Sequence, residues 1–418
     1  MTHTLQVGLV GAGMIVDETY RPAFLQLSKR PIYSRTCGEI QVALAGIASR
    51  TGSRANALKE RHPQEFNGVN VVIEPGSVKK LIELGVDVVC IATPDDRHFS
   101  AALEAINAGK HVLIEKPAVL TVQEWKTLVD AAEKKGVLAK VVYHKLLDPD
   151  HKKLRTLVAD GVLNHVNNGY CSLLEPKSIS QGQFAEWIKG RNPATYVAVH
   201  YIKLIDFTFG GKLRRVSATG QRGLVGSKDG DTWDSVQLRL EYEYDDGREA
   251  AFDIHTSWVT PDNFPGYVEQ EVQFRFDNGV WNGHSRKRGV ELTVEGETPI
   301  SRKTTLNNHY NGEFLEPWGE RTQRGYGVEV LTRFFEEVCE VEFNGPSNER
   351  GGRLAAIRRL GYNDLSADKQ VVAAVQALEA ILKQHAVGKP GGVVTFAGDC
   401  ERAELRRPGS ATVELVFE

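Results

Sequence analysis

Cysteine is scarce in this chain, and its placement excludes two common kinds of structural site. Only five cysteines occur among 418 residues, an odd number, and no two of them stand in a Cys-x-x-Cys spacing. A disulfide framework needs paired cysteines and a zinc site needs clustered ligands, so neither is predicted. We expect no metal site and expect every cysteine to be a free thiol: Cys37, Cys90, Cys171, Cys339 and Cys400.

The chain also lacks an excess of charge and a long apolar run. Its 51 Lys and Arg residues nearly balance 54 Asp and Glu residues, for a formal net charge of −3. A balanced surface offers no broad positive field for nucleic acid or for an anionic membrane. No apolar stretch approaches the roughly 20 residues that span a bilayer, and the N-terminus has no signal-peptide pattern. These absences predict a cytoplasmic protein whose partner is a small molecule, with no nucleic acid and no membrane.

What is present begins with a strand, a glycine turn and a helix start. Residues 5–10 form a short apolar run, and Gly11 and Gly13 follow it. Glycines in this position let the backbone approach a pyrophosphate at a helix N-terminus. Val16 occupies the third glycine position of the dinucleotide fingerprint, so the motif alone is weak and a plain strand-to-helix turn is an equal alternative. The candidate cofactor contacts here are Gly11, Gly13, Met14 and Ile15.

The second strand ends without an acidic residue. Residues 28–39, which precede it, are predicted to form a surface loop, and its apolar run at residues 42–47 leads to Ser49, Arg50 and Arg54. In a dinucleotide-binding fold this tip meets the adenosine ribose, where Asp or Glu selects a free 2′-hydroxyl and Arg accommodates a 2′-phosphate. The guanidinium groups therefore favour NADP over NAD. The alternative is that Arg50 only stacks on adenine and that both cofactors are used.

Two further apolar runs indicate central parallel strands with polar residues at their ends. Continuous apolar character is typical of strands that are covered on both faces. In open α/β sheets, ligands bind just outside the carboxyl ends of such strands. The charged pair after the second run is a solvated turn in the alternative interpretation. The candidate cofactor contacts at the two ends are Thr93, Pro94 and His98 after residues 86–92, and Glu115 and Lys116 after residues 112–114.

Three motifs follow one another in a fixed order along the first part of the chain. They are the glycine turn at residues 11–15, the stretch Ala-Thr-Pro-Asp-Asp-Arg-His at residues 92–98, and residues 108–117, which end in Glu-Lys-Pro. In this order they resemble the glucose-fructose oxidoreductase and inositol dehydrogenase (Gfo/Idh/MocA) family. The resemblance implies an NAD(P) cofactor and a sugar or cyclitol substrate.

The resemblance also implies an α/β protein of two domains. An N-terminal Rossmann dinucleotide-binding domain would cover residues 1–145. Residues 146–418 would form an α/β substrate-binding and oligomerisation domain, with a large, mostly antiparallel open-faced sheet and helices that return to the first domain. A chain of this length is expected to form two domains on size alone.

A polar helix face is predicted in the second domain. Pro193 is a helix-start signal, and Tyr196, His200 and Lys203 follow at i, i+4 and i+7 spacing on one face. The family typically has an Asp, a His four residues later and another Asp three residues further. The resemblance implies that the first Asp and the His act together with the Glu-Lys-Pro lysine. His200 matches this pattern, whereas Tyr196 and Lys203 depart from it.

The chemistry of alcohol oxidation suggests a role for each of these residues. His200 suits the general base because the unperturbed pKa of histidine, near 6.5, lies close to working pH. Lys116 would orient the hydroxyl and stabilise the developing alkoxide, and Tyr196 would extend a proton relay or bind a substrate hydroxyl. A packed structural histidine is the alternative for His200. Since Lys116 and His200 come from different domains, we expect the active cleft at the domain junction.

The exit from the first domain supplies further substrate candidates. In the family, one or two basic residues before an Asp-Pro pair often face the substrate, and Lys145 and Asp148 align with these positions. His144 is adjacent, with a satisfied strand-end histidine as its alternative. The full set of candidate substrate contacts is Lys116, His144, Lys145, Asp148, Tyr196, His200 and Lys203.

From residue 164 onward the hydrophobic pattern has a period of two, with turns at residues 245–247 and 277–279. This pattern predicts hairpins and an antiparallel sheet whose free face forms a homodimer or homotetramer contact. The polar and aromatic loop at residues 305–324 is a candidate for substrate specificity, or else a surface loop. Residues 393–396 and 412–417 predict two strands beyond the usual end of the family fold.

We therefore expect an NAD(P)-dependent oxidoreductase that transfers hydride between a nicotinamide cofactor and a hydroxyl or keto group of a sugar, sugar derivative or cyclitol. Two alternatives stay open. One is an enzyme that cleaves glycosides through transient oxidation by the same cofactor. The other is a regulatory protein that binds a sugar or the cofactor without turnover, which Tyr196 and Lys203 would suit.

Overall fold

A computed structural model describes residues 3–183, 188–225, 232–262, 264, 268–285, 290–294, 302–386, 388 and 391–418. The chain forms two compact units. Unit 1 comprises Met1–Leu147 and His309–Asp368, and unit 2 comprises Asp148–Asn308 and Lys369–Glu418.

The described residues contain the following strands in chain order: β1 His3–Val10, β2 Ile32–Ser34, β3 Gly38–Ser49, β4 Asn70–Ile73, β5 Val88–Ile91, β6 His111–Ile114, β7 Ala139–Val141, β8 Val166–Pro176, β9 Lys212–Gln221, β10 Ser235–Glu243, β11 Glu249–Thr260, β12 Glu269–Phe276, β13 Val280–Ser285, β14 Val290–Val294, β15 Arg302–Leu306, β16 Gly312–Leu315, β17 Arg321–Arg324, β18 Val393–Ala397, β19 Arg402–Arg406 and β20 Val413–Phe417.

The α-helices of the described residues are α1 Arg21–Lys29, α2 Ser53–Arg61, α3 Ser77–Glu83, α4 His98–Asn107, α5 Val122–Lys135, α6 Pro149–Ala159, α7 Val199–Phe209, α8 Tyr326–Phe343, α9 Arg350–Arg358 and α10 Lys369–Ala386. Wider π-helical turns occur at Val16–Tyr20, Ile179–Gln183 and Ala194–Ala198. No helix within the described ranges has the length and apolar character that crossing a membrane requires.

Unit 1 is built on a parallel sheet in the order β4-β3-β1-β5-β6-β7. This is the strand order of the doubly wound dinucleotide-binding fold. Every residue of β5 and β6 is buried, because helices cover both faces of a parallel sheet. The predicted loop at residues 28–39 was wrong in part: β2 lies within it and pairs antiparallel with the start of β3.

The segment His309–Asp368 belongs to unit 1, whereas the predicted division assigned residues 146–418 to a second domain with helices that return to the first. The reason is the apolar face of α8. Its residues Leu331, Phe334 and Val338 share a buried cluster with Leu5 and Leu9 of β1. Burial of these large apolar side chains against the sheet stabilises the packing of α8 in unit 1, although the segment lies late in the chain.

A polar cluster joins the end of α8 to the sheet of unit 1. His111 Nδ1 accepts the Leu138 N–H at 2.9 Å, so Nε2 carries the ring proton and donates to Glu342 Oε1 at 2.7 Å. Arg350 donates to the same carboxylate at 2.6 Å. Burial alone raises the pKa of Glu342, but the His111 and Arg350 contacts outweigh it and lower this pKa to about 2.

Unit 2 is built on a nine-stranded sheet in the order β13-β12-β8-β11-β10-β9-β18-β19-β20. The β8–β11 pair is parallel, and the other described pairs are antiparallel. The predicted hairpin turns at residues 245–247 and 277–279 are confirmed, since they join β10 to β11 and β12 to β13. The expected fold class, a Rossmann unit followed by a mostly antiparallel α/β unit, is likewise confirmed.

The two faces of this sheet differ in polarity. On one face Phe209 of α7 lies against Phe252 and Phe274, with ring centroids 5.7 and 4.8 Å apart. The opposite face is polar, and Arg239 of β10 pairs there with Asp253 of β11 at 3.2 Å. The free face predicted from the sequence is therefore a charged surface in the described residues, because the alternating positions that face away from the helices are polar.

Candidate active site

The glycine turn of unit 1 admits a close approach of the backbone. Gly11 has φ +111°, and a Cβ there would overlap the carbonyl oxygen of Ala92 at the end of β5, so only glycine fits. A Cβ on Gly13 would point into open space. Val16, at the third glycine position, is buried in the core and begins a π-helical turn. This wider turn accompanies the departure from the glycine fingerprint.

The tip of β3, where the sequence predicts the ribose contacts, turns tightly into α2. Ser49 Oγ accepts the N–H of Gly52 at 3.0 Å, and Gly52 has φ +80° just before α2 begins. Arg50 and Arg54 are exposed at this tip. The structure thus brings the three predicted ribose residues together on one turn of unit 1.

The end of β5 contains one polar atom that could serve a ligand and one histidine that is already engaged. Thr93 Oγ1 is buried and has no hydrogen-bond partner among the described residues. His98 was predicted as a cofactor contact, but its ring is 1% exposed, with Nδ1 2.8 Å from the Pro117 oxygen and Nε2 2.8 Å from the Thr93 oxygen. Both ring nitrogens face backbone carbonyls, so His98 joins two strand-end loops instead of offering a nitrogen to a ligand. Burial lowers the pKa of this ring.

The Glu-Lys pair lies directly after β6, at the carboxyl edge of the sheet. Glu115 is buried, and the Tyr20 hydroxyl donates to its Oε1 at 3.2 Å. Burial raises the pKa of Glu115 to about 7, against the opposing effects of the Lys116 charge and the Tyr20 hydrogen bond. Lys116 is partly exposed. A cation at a strand end with a carboxyl group beside it can orient a substrate oxygen and stabilise negative charge on it.

The segment that follows β15 reaches the first strand-to-helix connection of unit 1. Tyr310 OH lies 2.9 Å from Thr19 Oγ1, and Asn311 Nδ2 donates to the carbonyl of Glu18. The His144 ring lies 5.1 Å from that of Tyr310, centroid to centroid. Sequence reasoning singled out this loop by its length and polarity, but it did not predict Tyr310 as a neighbour of the glycine-turn helix.

The other predicted substrate residues near the end of unit 1 are buried. Lys145 is 3% exposed. Asp148, the first residue of unit 2, is fully buried, and its Oδ1 accepts the N–H of Asp150 at 3.1 Å as the N-cap of α6. The assignment of Asp148 to substrate therefore needs correction, since this carboxylate stabilises a helix start.

In unit 2, the predicted polar helix face begins in a π-helical turn. Tyr196 lies in Ala194–Ala198, and His200 and Lys203 lie in α7. A π-turn rotates the chain less per residue than an α-turn, so the three side chains do not follow the simple i, i+4 and i+7 geometry. Tyr196 is partly exposed, whereas His200 and Lys203 are 4% and 1% exposed. Lys203 Nζ lies 3.9 Å from Asp206 Oδ2.

A buried carboxylate near Tyr196 was missed by sequence reasoning. Trp258 Nε1 donates to Glu175 Oε2 at 2.8 Å, and the Tyr196 ring lies 6.3 Å from that of Trp258. The sequence signal that could have found it is the Glu-Pro pair at the end of β8. It resembles the Glu-Lys-Pro stretch after β6, where an acidic residue also stands near a proline at a strand end. No group of three or more His, Cys, Asp or Glu residues in the described ranges is arranged to hold a metal ion.

Both parts of the chain match models of known families. Residues 5–143 match the "Oxidoreductase family, NAD-binding Rossmann fold", and residues 151–281 match the "GFO/IDH/MocA C-terminal domain". The fold and the strand-end residues of unit 1 define a dinucleotide-binding protein of the doubly wound α/β class. More narrowly, the chain belongs to the Gfo/Idh/MocA family of oxidoreductases, which confirms the resemblance seen in its motifs.

Individual relatives are more distant. The scyllo-inositol 2-dehydrogenase (NADP(+)) of Bacillus subtilis (strain 168) is 29% identical over 164 residues, which are 39% of this chain and 40% of that protein. The D-glucoside 3-dehydrogenase of Escherichia coli (strain K12) is 26% identical over 162 residues, which are 39% of this chain and 41% of that protein. The matched part of the chain spans about two fifths of the length of each of these two relatives.

A solved structure extends the likeness of fold to nearly the whole chain. The scyllo-inositol dehydrogenase from Lactobacillus casei with bound cofactor NAD(H) and scyllo-inositol has a TM-score of 0.63 at 14% identity. The alignment covers 91% of this chain and 98% of that one. At this identity the comparison establishes a shared fold.

Proposed function

We propose that the protein is an NAD(P)-dependent oxidoreductase that acts on a hydroxyl group of a sugar, sugar derivative or cyclitol, or on the matching keto group. The observation that carries this proposal is the place of Lys116, directly after the buried strand β6 in the sheet whose first strand ends in the Gly11 turn. Ligands of doubly wound sheets bind at this edge. The names of the relatives, a scyllo-inositol 2-dehydrogenase and a D-glucoside 3-dehydrogenase, support the substrate class.

The residues of unit 1 fit a dinucleotide. Gly11 lets the turn after β1 pass close to the Ala92 carbonyl, the space beside Gly13 is open, and Thr93 Oγ1 is a buried polar atom without a partner among the described residues. When bound, a nicotinamide cofactor supplies the acceptor or donor of hydride. The residues that would hold it are Gly11, Gly13, Met14, Ile15, Ser49, Arg50, Arg54, Thr93, Pro94, Glu115 and Lys116.

Three residues of the chain would move or hold the proton and charge of the substrate. The Lys116 ammonium would orient the reacting oxygen and stabilise its developing negative charge. An imidazole nitrogen of His200 would accept the hydroxyl proton, because imidazole is a side chain that can act as a general base in catalysis. The Tyr196 hydroxyl, in the place of the family aspartate, would bind a substrate hydroxyl or extend the proton path.

The test is a panel of sugars and cyclitols, each with NAD and NADP, followed by the absorbance of the reduced nicotinamide. Net reduction of the cofactor supports the proposal. Glycoside cleavage without net reduction identifies the cleaving enzyme instead. Tight binding of sugar or cofactor without turnover identifies a regulatory protein, the alternative that Tyr196 and Lys203 motivate.

We further propose that NADP is preferred over NAD. Arg50 and Arg54 are exposed at the tip of β3, and no acidic residue stands between Ser49 and Arg54 to select a free ribose hydroxyl. Parallel titrations with both cofactors test this preference. Arg50→Ala should weaken NADP binding about tenfold, the loss of a charge-assisted contact, and leave NAD binding unchanged. A wild-type protein that prefers NAD contradicts the proposal.

A homodimer or homotetramer through the free face of the unit 2 sheet is also proposed. An antiparallel sheet with helices on one side leaves the other side for a partner. Since that face is charged in the described residues, a contact there would rest on ion pairs more than on apolar burial.

A further inference from the structure

Tyr20 and Glu115 form a buried pair immediately before the proposed catalytic lysine. Tyr20 is fully buried and Glu115 is 7% exposed, and the tyrosine hydroxyl donates to Glu115 Oε1 at 3.2 Å. Tyr20 ends the π-helical turn Val16–Tyr20 that follows the glycine turn. Such turns are frequent at functional sites. The pair therefore links the nucleotide-binding turn to the end of β6.

Burial of Glu115 outweighs the contacts that favour its charged form. Among the described residues, the titratable groups that interact with it include Tyr20, Cys90 of β5, Lys116 and Tyr310. Burial raises the pKa of the Tyr20, Cys90 and Tyr310 groups, so these three are neutral at ordinary pH. Lys116 supplies the opposing charge and a backbone hydrogen bond to the carboxyl group, and Tyr20 donates a side-chain hydrogen bond to it. With burial as the largest effect, the pKa of Glu115 stands at about 7.

We propose that Tyr20 is a positioning residue, whose hydroxyl holds Glu115 in the carboxylate form beside Lys116. The carboxylate in turn keeps the lysine as the ammonium ion that acts on the substrate oxygen. The second step rests on the proposed function, because it takes Lys116 as the catalytic cation. The first step, the protonation state of Glu115, does not depend on turnover.

Infrared titration tests the first step without a substrate. A protonated carboxyl group and a carboxylate absorb at different infrared frequencies. Subtraction of the Glu115→Gln spectrum therefore isolates the band of Glu115. We expect a midpoint near pH 7 in the wild type. Tyr20→Phe should raise it by about one pH unit, since a hydrogen bond to the charged form is lost. Tyr33→Phe, at an exposed tyrosine of unit 1, should leave it unchanged.

An equal Glu115 midpoint in Tyr20→Phe and in the wild type overturns the inference. If Glu115→Gln does not fold, the same midpoints are measured by NMR on wild type and Tyr20→Phe that carry ¹³C-labelled glutamate. The comparison then needs no variant of Glu115.

The pH profile of kcat tests the second step. The acid limb should move upward with the Glu115 midpoint in Tyr20→Phe, with kcat about fivefold lower than wild type near pH 7 and nearly equal near pH 9. A structural defect would instead lower kcat evenly at all pH values. If the wild type turns over substrate and the acid limb of Tyr20→Phe is not shifted, only the second step, the effect of Glu115 on Lys116, is overturned. A shifted Glu115 midpoint in a protein that turns over no substrate overturns the proposed function and supports the Tyr20–Glu115 pairing.

Discussion

At the scale of single residues, Lys116 is predicted to contribute strongly to turnover. It follows a fully buried strand, so its backbone position is held by the sheet and its ammonium group is partly exposed at the carboxyl edge. Lys116→Ala should lower kcat by about 10²–10³-fold, because a preorganised charge at the reacting oxygen is lost. Cofactor binding, followed by fluorescence titration, should weaken far less than kcat falls, because Lys116 is one of several proposed cofactor contacts.

Lys134→Ala is the matched control, since Lys134 is an exposed lysine near the end of α5 of the same unit. Near-normal turnover in Lys116→Ala would remove the lysine from the mechanism.

His200→Ala should lower kcat by about 10²–10⁴-fold if the histidine is the general base.

Glu115 also has a predicted effect on stability. Its folded-state pKa of about 7 lies above the ordinary glutamate value of 4.5, so its contribution is fully present below pH 4.5 and is lost as the pH rises through 7. Above pH 7 the buried, ionised carboxylate destabilises the folded protein, and Glu115→Gln removes this destabilisation. The substitution should therefore raise the free energy of unfolding at pH 8 by up to about 3 kcal/mol relative to its effect at pH 4.5.

Urea unfolding of wild type and Glu115→Gln at both pH values measures this difference. Glu104→Gln, at an exposed position of α4, is the control and should show no pH-dependent gain. A gain of equal size at pH 4.5 and pH 8 would show that the carboxyl group of Glu115 does not titrate between these values.

At the scale of elements, the end of α8 depends on one carboxylate. Glu342 accepts from His111 and Arg350, and its lowered pKa of about 2 means that the contribution is present above pH 4.5 and is lost as the pH falls toward 2. Glu342→Gln should therefore lower the free energy of unfolding by about 2 kcal/mol at pH 7 and by less near pH 3.

Denaturant unfolding at the two pH values tests this prediction. Glu336→Gln is the control, because Glu336 makes an exposed pair with Arg333 on the same helix and should cost less than about 1 kcal/mol. Equal losses in the two variants would mean that the Glu342 cluster contributes no more than a surface ion pair.

Local pattern was enough to predict some elements and not others. The strands β5 and β6 were predictable because unbroken apolar runs of this kind are typical of parallel strands that are buried on both faces. In the tail, the predicted strands match β18 and β20, but β19 was missed. Its sequence Arg-Ala-Glu-Leu-Arg buries only Ala403 and Leu405, so its apolar signal is weak and it owes its place to pairing with neighbours. The π-helical turns have no comparable sequence signature.

Residue roles were predictable where a local motif determines them. The need for glycine at residue 11 is an example, because its turn has a positive φ and passes close to Ala92, whereas its contact with a cofactor stays a prediction. His98 contacts the backbone of another strand-end loop, and Asp148 caps the start of α6. The sequence analysis assigned both residues to ligand binding. Glu175 was missed because its partner Trp258 lies far along the chain.

At the scale of the whole molecule, chain order and spatial order differ. The sequence divides the chain once, after residue 145, and predicts that later helices return to the first domain, but it does not say which ones; the structure assigns His309–Asp368 to unit 1 and Lys369–Glu418 to unit 2. The apolar stripe of α8 was visible in the sequence, but a stripe states only that a helix packs and not against which sheet. Contacts between residues that are distant in sequence decide the partner, and a single sequence does not show them.

The assembly proposed for the unit 2 sheet gives the last prediction. Its free face carries Arg239 between Asp253 and Glu241, and Arg215 beside the same glutamate. Ion pairs at a surface are screened when the ionic strength rises. If copies of the chain meet through this face, the mass from light scattering should correspond to a dimer or tetramer at about 0.05 M salt and fall toward the monomer at about 1 M.

Arg239→Glu should produce the monomer already at low salt, because it places a third negative charge beside Asp253 and Glu241. Lys134→Glu, which makes the same change of charge on exposed α5 of unit 1, should leave the mass unchanged. A monomeric wild type at micromolar concentration would count against any such assembly. An oligomer that persists equally in Arg239→Glu and at high salt would instead require an apolar contact elsewhere, since repulsion at this face would then have no effect on association.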